Sequence, residues 1–406
     1  MLQSWRLRDA ERGWRNLRGL AGALSLEGLH GLCTQLGRLL PRCADPDMAL
    51  NNLERFFSNA AAAAQMPMLM ENHGQLLEVL LMLLCTSQSF SDILSLNPDY
   101  LDMLRLPLRR SPNKDELQTQ LQEEVDAAFE DSAVLRAFRR FRQRHMLRIG
   151  VNDIIRERPL EEITHDISDV ADAALEAALK VALRHVGKRF GTPRHDNGQE
   201  ASCVVLAFGK HGGEELNYSS DIDLMFVYSE EGDTRGKHGT SVGNDEFFAR
   251  VVGEVVRLLS SHTDRGQAYR VDLRLRPEGL RGPLARSLAS TLAYYDSMGR
   301  TWERQALIKV RPVAGDLALG QTFLKAIEPF VYRKYLSFAE INEIKAIKRR
   351  IEHKVGRDGD SGREVKTGRG GIRDIEFTIQ FLQLLNGGDL PHLRQRNTLL
   401  ALSALE

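Results

Sequence analysis

The sequence predicts an α+β protein, predominantly helical, with a small mixed sheet set between two helical regions. Three observations carry this. From the start to about residue 185, Leu, Ala, Arg and Glu dominate, apolar residues recur at spacings of three and four, and β-branched runs are scarce, the pattern of amphipathic helices. Between about 200 and 290 the pattern becomes short apolar runs punctuated by Gly, Pro, Asn and Asp, as strands require. From about Leu288 the helical pattern returns.

A chain of 406 residues with 42% hydrophobic and 27% charged content holds enough apolar material for two or three globular units. Lys plus Arg and Asp plus Glu each number 55, so bulk charge gives no reason to expect a nucleic acid or an anionic membrane as partner. The four cysteines, Cys33, Cys43, Cys85 and Cys203, lack metal-ligand spacing and read as thiols of a reducing compartment. The N-terminus has no signal-peptide core, and the longest apolar run, "LLEVLLMLLC" at 76–85, contains Glu78 and is too short to span a bilayer. A cytoplasmic location is expected.

In chain order, a helical head is expected over 1–186, punctuated at "PRCADPD", "NPD" and "LPLRRSPN", with the run Ala60–Ala64 inside it as plain helix former. "LRAFRRFRQRHMLRIG" carries six arginines with Leu135, Phe138 and Phe141 three apart, an amphipathic helix whose basic face reads as solvated or acid-paired. "GKRFGTPRHDNGQEAS" at 187–202 marks a boundary. The segment 187–290 then offers a first strand in "SCVVLAFGK", a second in "DIDLMFVYSE", a helix capped by Asn244, a third strand in "QAYRVDLRLRP" and a short further strand in "GPLARSL". Residues 291–406 form a C-terminal helical region, through "LAYYDSMGRTWERQALIKVRP", "EINEIKAIKRRIEHKV" and "IRDIEFTIQFLQLLN", interrupted by the glycine loop "KTGRGG".

The chemistry concentrates at the mouth of the second strand. Alternation puts Asp221 and Asp223 on one side of it, where two carboxylates repel unless a cation sits between them. Asp272 in the third strand supplies a third carboxylate, with Arg274 and Arg276 on its own face, a set suited to Mg²⁺ working on phosphates. The turn "FGKHGGEELNYSS" places Gly212, Gly213, Ser219 and Ser220 where backbone amides and hydroxyls approach a triphosphate, though it is not a Walker A loop. A D-x-D pair alone favours a strand-edge cap or a structural salt bridge; the glycine turn before it and the aspartate in the later strand reverse that preference toward the metal. Lys366 and Arg369, just before an apolar-periodic helix, make an anion site, and Glu376 on that helix reaches toward a metal or ribose. His73, His185 and His262 stand alone in sequence, Trp302 reads as core, and Arg304, Lys309 and Arg311 read either as phosphate-facing or as acid-paired.

In this order "NPDYLDML", "LRIGVNDI", "GKHGGEELNYSSDIDLMF", "RVDLRLRPEGLRGPL", "YYDSMGRTWERQALIKVRPVAGD", "FVYRKYLSF" and "VKTGRGGIRDIEF" resemble the bifunctional glutamine synthetase adenylyltransferase/adenylyl-removing enzymes over most of 85–406. The wording is similar to their N-terminal half, and the ending "NTLLALSALE", inside a helical pattern, points to a longer parent chain. His211 departs from the family, which usually has leucine there. The resemblance implies a polymerase-β-type nucleotidyltransferase core, in which Asp221, Asp223 and Asp272 hold two Mg²⁺ ions. It implies phosphorolysis of the adenylylated tyrosine of glutamine synthetase, with phosphate consumed and ADP released, and regulation by PII signalling proteins and glutamine. Arg274, Arg276, Lys366 and Arg369 would hold phosphates. Forward adenylylation from ATP and a non-catalytic docking role for glutamine synthetase or PII remain the alternatives.

Overall fold

A computed structural model of the chain describes residues 2–22, 24–59, 62, 75–105, 111–236, 241–334, 338, 341–343, 346 and 370–406. Lys366 and Arg369, His73, the run Ala60–Ala64 apart from Ala62, and most of the segments "EINEIKAIKRRIEHKV" and "KTGRGG" lie outside the described residues. The chain forms two compact units, one of Met1–Ser111 with Arg140–Asp166, the other of Pro112–Arg139 with Ile167–Glu406. Residues 112–139 and 167–186 of the helical N-terminal region thus belong to the second unit.

The first unit is helical. Helices α1 (Ala10–Ala21), α2 (Leu26–Leu39) and α3 (Pro46–Phe57) start at Asp9, Ser25 and Asp45, whose side chains accept from backbone amides of the first turn, satisfying donors that a helix start leaves unpaired. Helices α4 (Gln75–Thr86), α5 (Gln88–Leu96) and α6 (Leu101–Arg105) follow. Leu32, Leu36, Leu50, Leu53, Phe56, Leu77, Leu80 and Leu84 form its core, all excluded from solvent. Asn52 is buried among them because its Nδ2 donates to Leu84 O at 3.0 Å.

The second unit opens with α7 (Lys114–Asp126), capped reciprocally by Asn113 and Glu116. Helices α8 (Asp131–Ile154) and α9 (Leu160–Phe190) contribute residues to both units. The basic face expected on α8 is interrupted by Arg139, which is buried and donates to Leu258 O at 2.7 Å and to Ser261 O. Arg139 thereby ends a neighbouring helix by satisfying its last carbonyls.

Among the described residues seven strands belong to this unit: β1 (Thr192–Pro193), β2 (Cys203–Phe208), β3 (Ile222–Tyr228), β4 (Thr234–Arg235), β5 (Val271–Asp272), β6 (Ala285–Ser287) and β7 (Arg311–Gly315). β1 and β4 pair alone, while the main sheet runs β5–β3–β2–β7, with β6 also on β3 beyond β5. The sheet is mixed: β2 is antiparallel to β3 and β7, whereas β3 is parallel to β5 and β6. Its further α-helices whose two ends both lie among the described residues are α10 (Gly209–Gly212), α11 (Asn244–Ser260), α12 (Leu288–Ser297), α13 (Thr301–Leu307), α14 (Leu317–Val331), α15 (Ile372–Asn386) and α16 (Thr398–Leu405).

One face of β2 and β3, through Val204, Leu206, Phe208, Met225 and Val227, packs on Tyr294, Tyr295, Leu307, Phe323 and Leu384 of the C-terminal helices. On the other, Tyr228 stacks on Phe248 of α11 with ring centroids 5.0 Å apart. Both faces of the sheet are therefore covered, which is why β2 reads as an unbroken apolar run rather than an alternation.

Three local expectations change. The third strand stops at Asp272, because Arg274 N donates to Asp272 Oδ1 at 2.8 Å and turns the chain. Helix α11 begins at Asn244 with Gly243 as its cap; Asn244 is buried, its Nδ2 donating to Arg194 O and Glu230 O, both at 3.0 Å. Segment 311–315 is a strand, although the sequence reading ran the helical pattern through "LIKVRP".

Gly212 shows how closely the sheet and the turn after β2 approach: a Cβ there would lie 1.9 Å from Lys309 O. Gly212→Ala is expected to lower stability by about 2 kcal/mol or more, read as a shift of the urea midpoint.

Candidate active site

Three aspartates lie at one end of the paired strands β3 and β5. Asp223 is the second residue of β3 and stands in register with Phe208 of β2 on one side and Asp272 of β5 on the other. Asp221 precedes β3 and pairs with Arg270. Asp272, with 14% of its side chain exposed, accepts from Arg274 Nε at 2.8 Å. The hydrogen bond from Arg274 holds the Asp272 carboxyl below the usual carboxylate range. Arg274 itself is pushed up by Asp272 first, with Asp223 and Asp221 adding to the effect, so all three carboxylates act on one exposed guanidinium.

Among the described residues no group of three or more His, Cys, Asp and Glu side chains is gathered as a closed metal-binding set. Asp221 and Asp272 are turned onto arginines instead. The donor chemistry nevertheless fits a hard cation: Mg²⁺ is commonly bound by one or two carboxylates, with waters and substrate phosphate oxygens completing its sphere. The in-register pair Asp223 and Asp272 offers that number.

The turn after β2 departs from the expected phosphate cradle. Gly209, with φ +55°, is the glycine that lies against the site; a Cβ there would stand 2.7 Å from Asp223 Oδ2. Gly212 and Gly213 are buried, Gly212 under the Lys309 carbonyl and Gly213 with its amide donating to Gly209 O at 3.1 Å. Both pack within the turn, and the Gly213 amide is already bonded inside it. Ser220 accepts from Asn217 N at 3.2 Å within the loop before β3, and Ser219 lies in that same loop. Arg276 is likewise no phosphate holder. It is 5% exposed, and its guanidinium donates to the carbonyls of Leu273 (2.8 Å), Gly282 (3.0 Å) and Pro283 (3.0 Å), which clamps the loop after β5.

Beside Gly209 opens a cleft lined by Leu275, Trp302, Gln305, Ala306, Lys309, Arg373, Glu376, Phe377 and Gln380. Its walls are helices α13 and α15. Trp302, expected in the core, faces this cleft, and the amides of Gln305 and Gln380 join across it at 2.8 Å. Lys309 is 4% exposed, pairs with Glu215, and donates to Glu376 Oε1 at 3.0 Å and Thr398 Oγ1 at 2.9 Å. Of its two sequence readings, the acid-paired one holds. Glu215 and Thr398 carried no sequence signal; only their meeting across 183 residues, with Thr398 N donating to Glu215 Oε2 at 2.9 Å, reveals them.

Behind the turn lies a buried ionic cluster. Asp172 of α9 is excluded from solvent and accepts from His211 Nε2 (2.7 Å), Lys114 Nζ (2.7 Å) and both terminal nitrogens of Arg311 (2.6 and 3.1 Å). Burial alone would raise its pKa, but the His211 hydrogen bond and the charges of Arg311 and Lys114 prevail and hold the carboxyl well below its ordinary value. Burial pushes His211 down from 6.5, against the pull of Asp172, so the imidazole is neutral and donates from Nε2. A histidine that resists protonation when folded contributes stability that is complete above pH 6.5 and lost as pH falls below it. Between pH 7 and pH 5, His211→Leu is expected to lose roughly 1 kcal/mol less unfolding free energy than the unsubstituted chain, by urea titration at each pH.

Residues 77–326 match the family model for glutamate-ammonia ligase adenylyltransferase, and residues 345–406 match that for GlnD PII-uridylyltransferase. Bifunctional glutamine synthetase adenylyltransferase/adenylyl-removing enzymes are similar along much of the chain. The one from Hahella chejuensis is 41% identical over 78% of this chain and 33% of its own length. Those from Pseudomonas aeruginosa and Xanthobacter autotrophicus are 42% and 44% identical over 72% and 69% of this chain, and 30% and 28% of their own. The chain thus spans about a third of the length of these relatives. Among the described residues no helix is long and apolar enough to cross a membrane. The mixed sheet within a largely helical chain is consistent with this family, and the match over 77–326, more than half of the chain, places the chain in the glutamate-ammonia ligase adenylyltransferase family.

Proposed function

We propose that the chain removes AMP from the adenylylated tyrosine of glutamine synthetase by Mg²⁺-dependent phosphorolysis, releasing ADP in the cytoplasm. The observation that carries this reading is the in-register pair Asp223 and Asp272, with Asp221 just before β3 and Asp223 against Gly209, a residue that also lines the cleft with Trp302 and Phe377.

In this reading a phosphate oxygen attacks the adenylyl phosphorus, the bond from phosphorus to the tyrosyl oxygen breaks, and that oxygen leaves with a proton to become the tyrosine hydroxyl. Asp221, Asp223 and Asp272 would hold two Mg²⁺ ions, whose charge neutralises the attacking and leaving oxygens. Before cations and phosphates arrive, Arg270 and Arg274 occupy the carboxylates of Asp221 and Asp272. Arg274, with 69% of its side chain exposed, would pass from its aspartate to a phosphate oxygen as the metal takes over. Trp302 and Phe377 line the cleft where the adenine would lie, and Arg373 on α15 adds a cation to its wall. Lys366 and Arg369 would contribute further phosphate contacts.

The alternative is adenylylation of the synthetase from ATP, in which the tyrosyl oxygen would attack the α-phosphorus and pyrophosphate would leave; the names of the relatives carry both activities. A division into a head over 1–186, a catalytic core over 187–290 and a completing region over 291–406 belongs to this proposal. So does a PII signalling protein as regulatory partner, supported by the match of 345–406 to a model named for a PII-modifying enzyme.

Incubated with adenylylated glutamine synthetase, phosphate and Mg²⁺, the chain is expected to release ADP. Asp223→Ala should slow release by about 10²-fold or more with the melting temperature little changed. No release, with label passing from ATP to unmodified synthetase, would reverse the direction; neither activity, with the synthetase still bound, would leave a docking module.

A further inference from the structure

We infer that Asp172 is the positioning residue of the turn beside Asp223, so that a carboxylate remote from the ligand governs how tightly phosphate and nucleotide are held. The inference rests on the nucleotidyltransferase reading above.

Asp172 gathers three separate segments onto one carboxylate: the start of α7 through Lys114, the turn through His211, and the start of β7 through Arg311. Arg311 extends the grip to the backbone, because its Nη2 also donates to His211 O at 3.1 Å. The turn runs over residues 209–215, and its first residue, Gly209, is packed on the Asp223 carboxylate. Its internal bonds, Gly213 N to Gly209 O at 3.1 Å, Glu214 N to His211 O at 3.2 Å and Glu215 N to Lys210 O at 2.8 Å, carry any displacement of His211 to both ends. A shift at Asp172 therefore reaches Gly209 and Asp223 on one side and Glu215, which holds Lys309 in the cleft, on the other.

A carboxylate placed only to fill the core could be exchanged for an apolar side chain at little loss, since buried ion pairs are costly to desolvate. Here its four hydrogen bonds fix a backbone whose placement, within a fraction of an ångström, decides whether a ligand's reacting atoms are aligned.

The test compares Asp172→Asn and Arg311→Lys with the unsubstituted chain by three measurements: hydrogen exchange at residues 209–215, MgADP affinity by calorimetry, and affinity for adenylylated glutamine synthetase. Expected are exchange at the turn at least tenfold faster with β2 and β3 unchanged, MgADP binding weakened at least tenfold for Asp172→Asn and severalfold for Arg311→Lys, and synthetase affinity unaltered. If Asp172→Asn does not fold, Arg311→Lys, which keeps the charge and loses the fork, carries the test. A loosened turn with MgADP affinity unchanged overturns the inference and reduces the cluster to a fold support, as does a turn whose exchange does not change. Absence of MgADP binding by the unsubstituted chain would instead overturn the nucleotidyltransferase reading itself.

Discussion

The antiparallel register of β2 against β3 is the constraint from which the site follows. Six consecutive pairs, from Cys203 opposite Tyr228 to Phe208 opposite Asp223, bring the exit of one strand level with the entry of the next. A slip of one residue would turn Asp223 to the other face of the sheet and drive Ile222, which is excluded from solvent, into its place. Apolar side chains on both faces forbid that slip, since Phe208, Met225 and Val227 must reach the C-terminal helices while Tyr228 reaches α11. The position of a polar group is thus set by the packing of its neighbours.

A second theme is how much cationic side chain is committed to architecture. Arg139 and Arg276 are buried donors to backbone carbonyls, Lys309 is closed in by Glu215, Glu376 and Thr398, and Arg311 is forked on Asp172. Arginine suits the first role because five donors in one plane can satisfy several carbonyls that a loop or helix end leaves unpaired. The cations near the aspartates that stay accessible, Arg270 and Arg274, are the ones with exposed side chains.

What the sequence disclosed follows the same division. β2, β3, β6, α11 and the flanking helices were legible because their apolar runs or periodicities reflect burial, the strongest signal a single chain carries. The alternation that set Asp221 and Asp223 together was legible for the same reason. β7 was not, since "RPVAG" carries Pro312 in second place and Gly315 at its end, residues unfavourable in strands, and it pairs with β2. The third strand was read too long because alternation in "RVDLRLRP" is real in composition, yet the Asp272 side chain captures the next turn of backbone. Equally hidden were Gly209, whose meaning depends on the carboxylate opposite, and Asp172, whose partners lie 39 to 139 residues away. Buried networks of this kind are written in three dimensions and leave no periodic trace.

The sequence order of the two units bears on how the chain is made. The first unit is completed by Arg140–Asp166, so it can close while most of the second is still unsynthesised. The second has no such advantage: β2 needs β7, more than a hundred residues downstream, before its second edge is covered. During translation β2 and β3 therefore wait with an open strand edge and an uncovered apolar face, the state most exposed to misassociation. The short β5 and β6, which follow β3 within about sixty residues, cover the far side of the sheet early and leave the β2 edge as the last seam to seal.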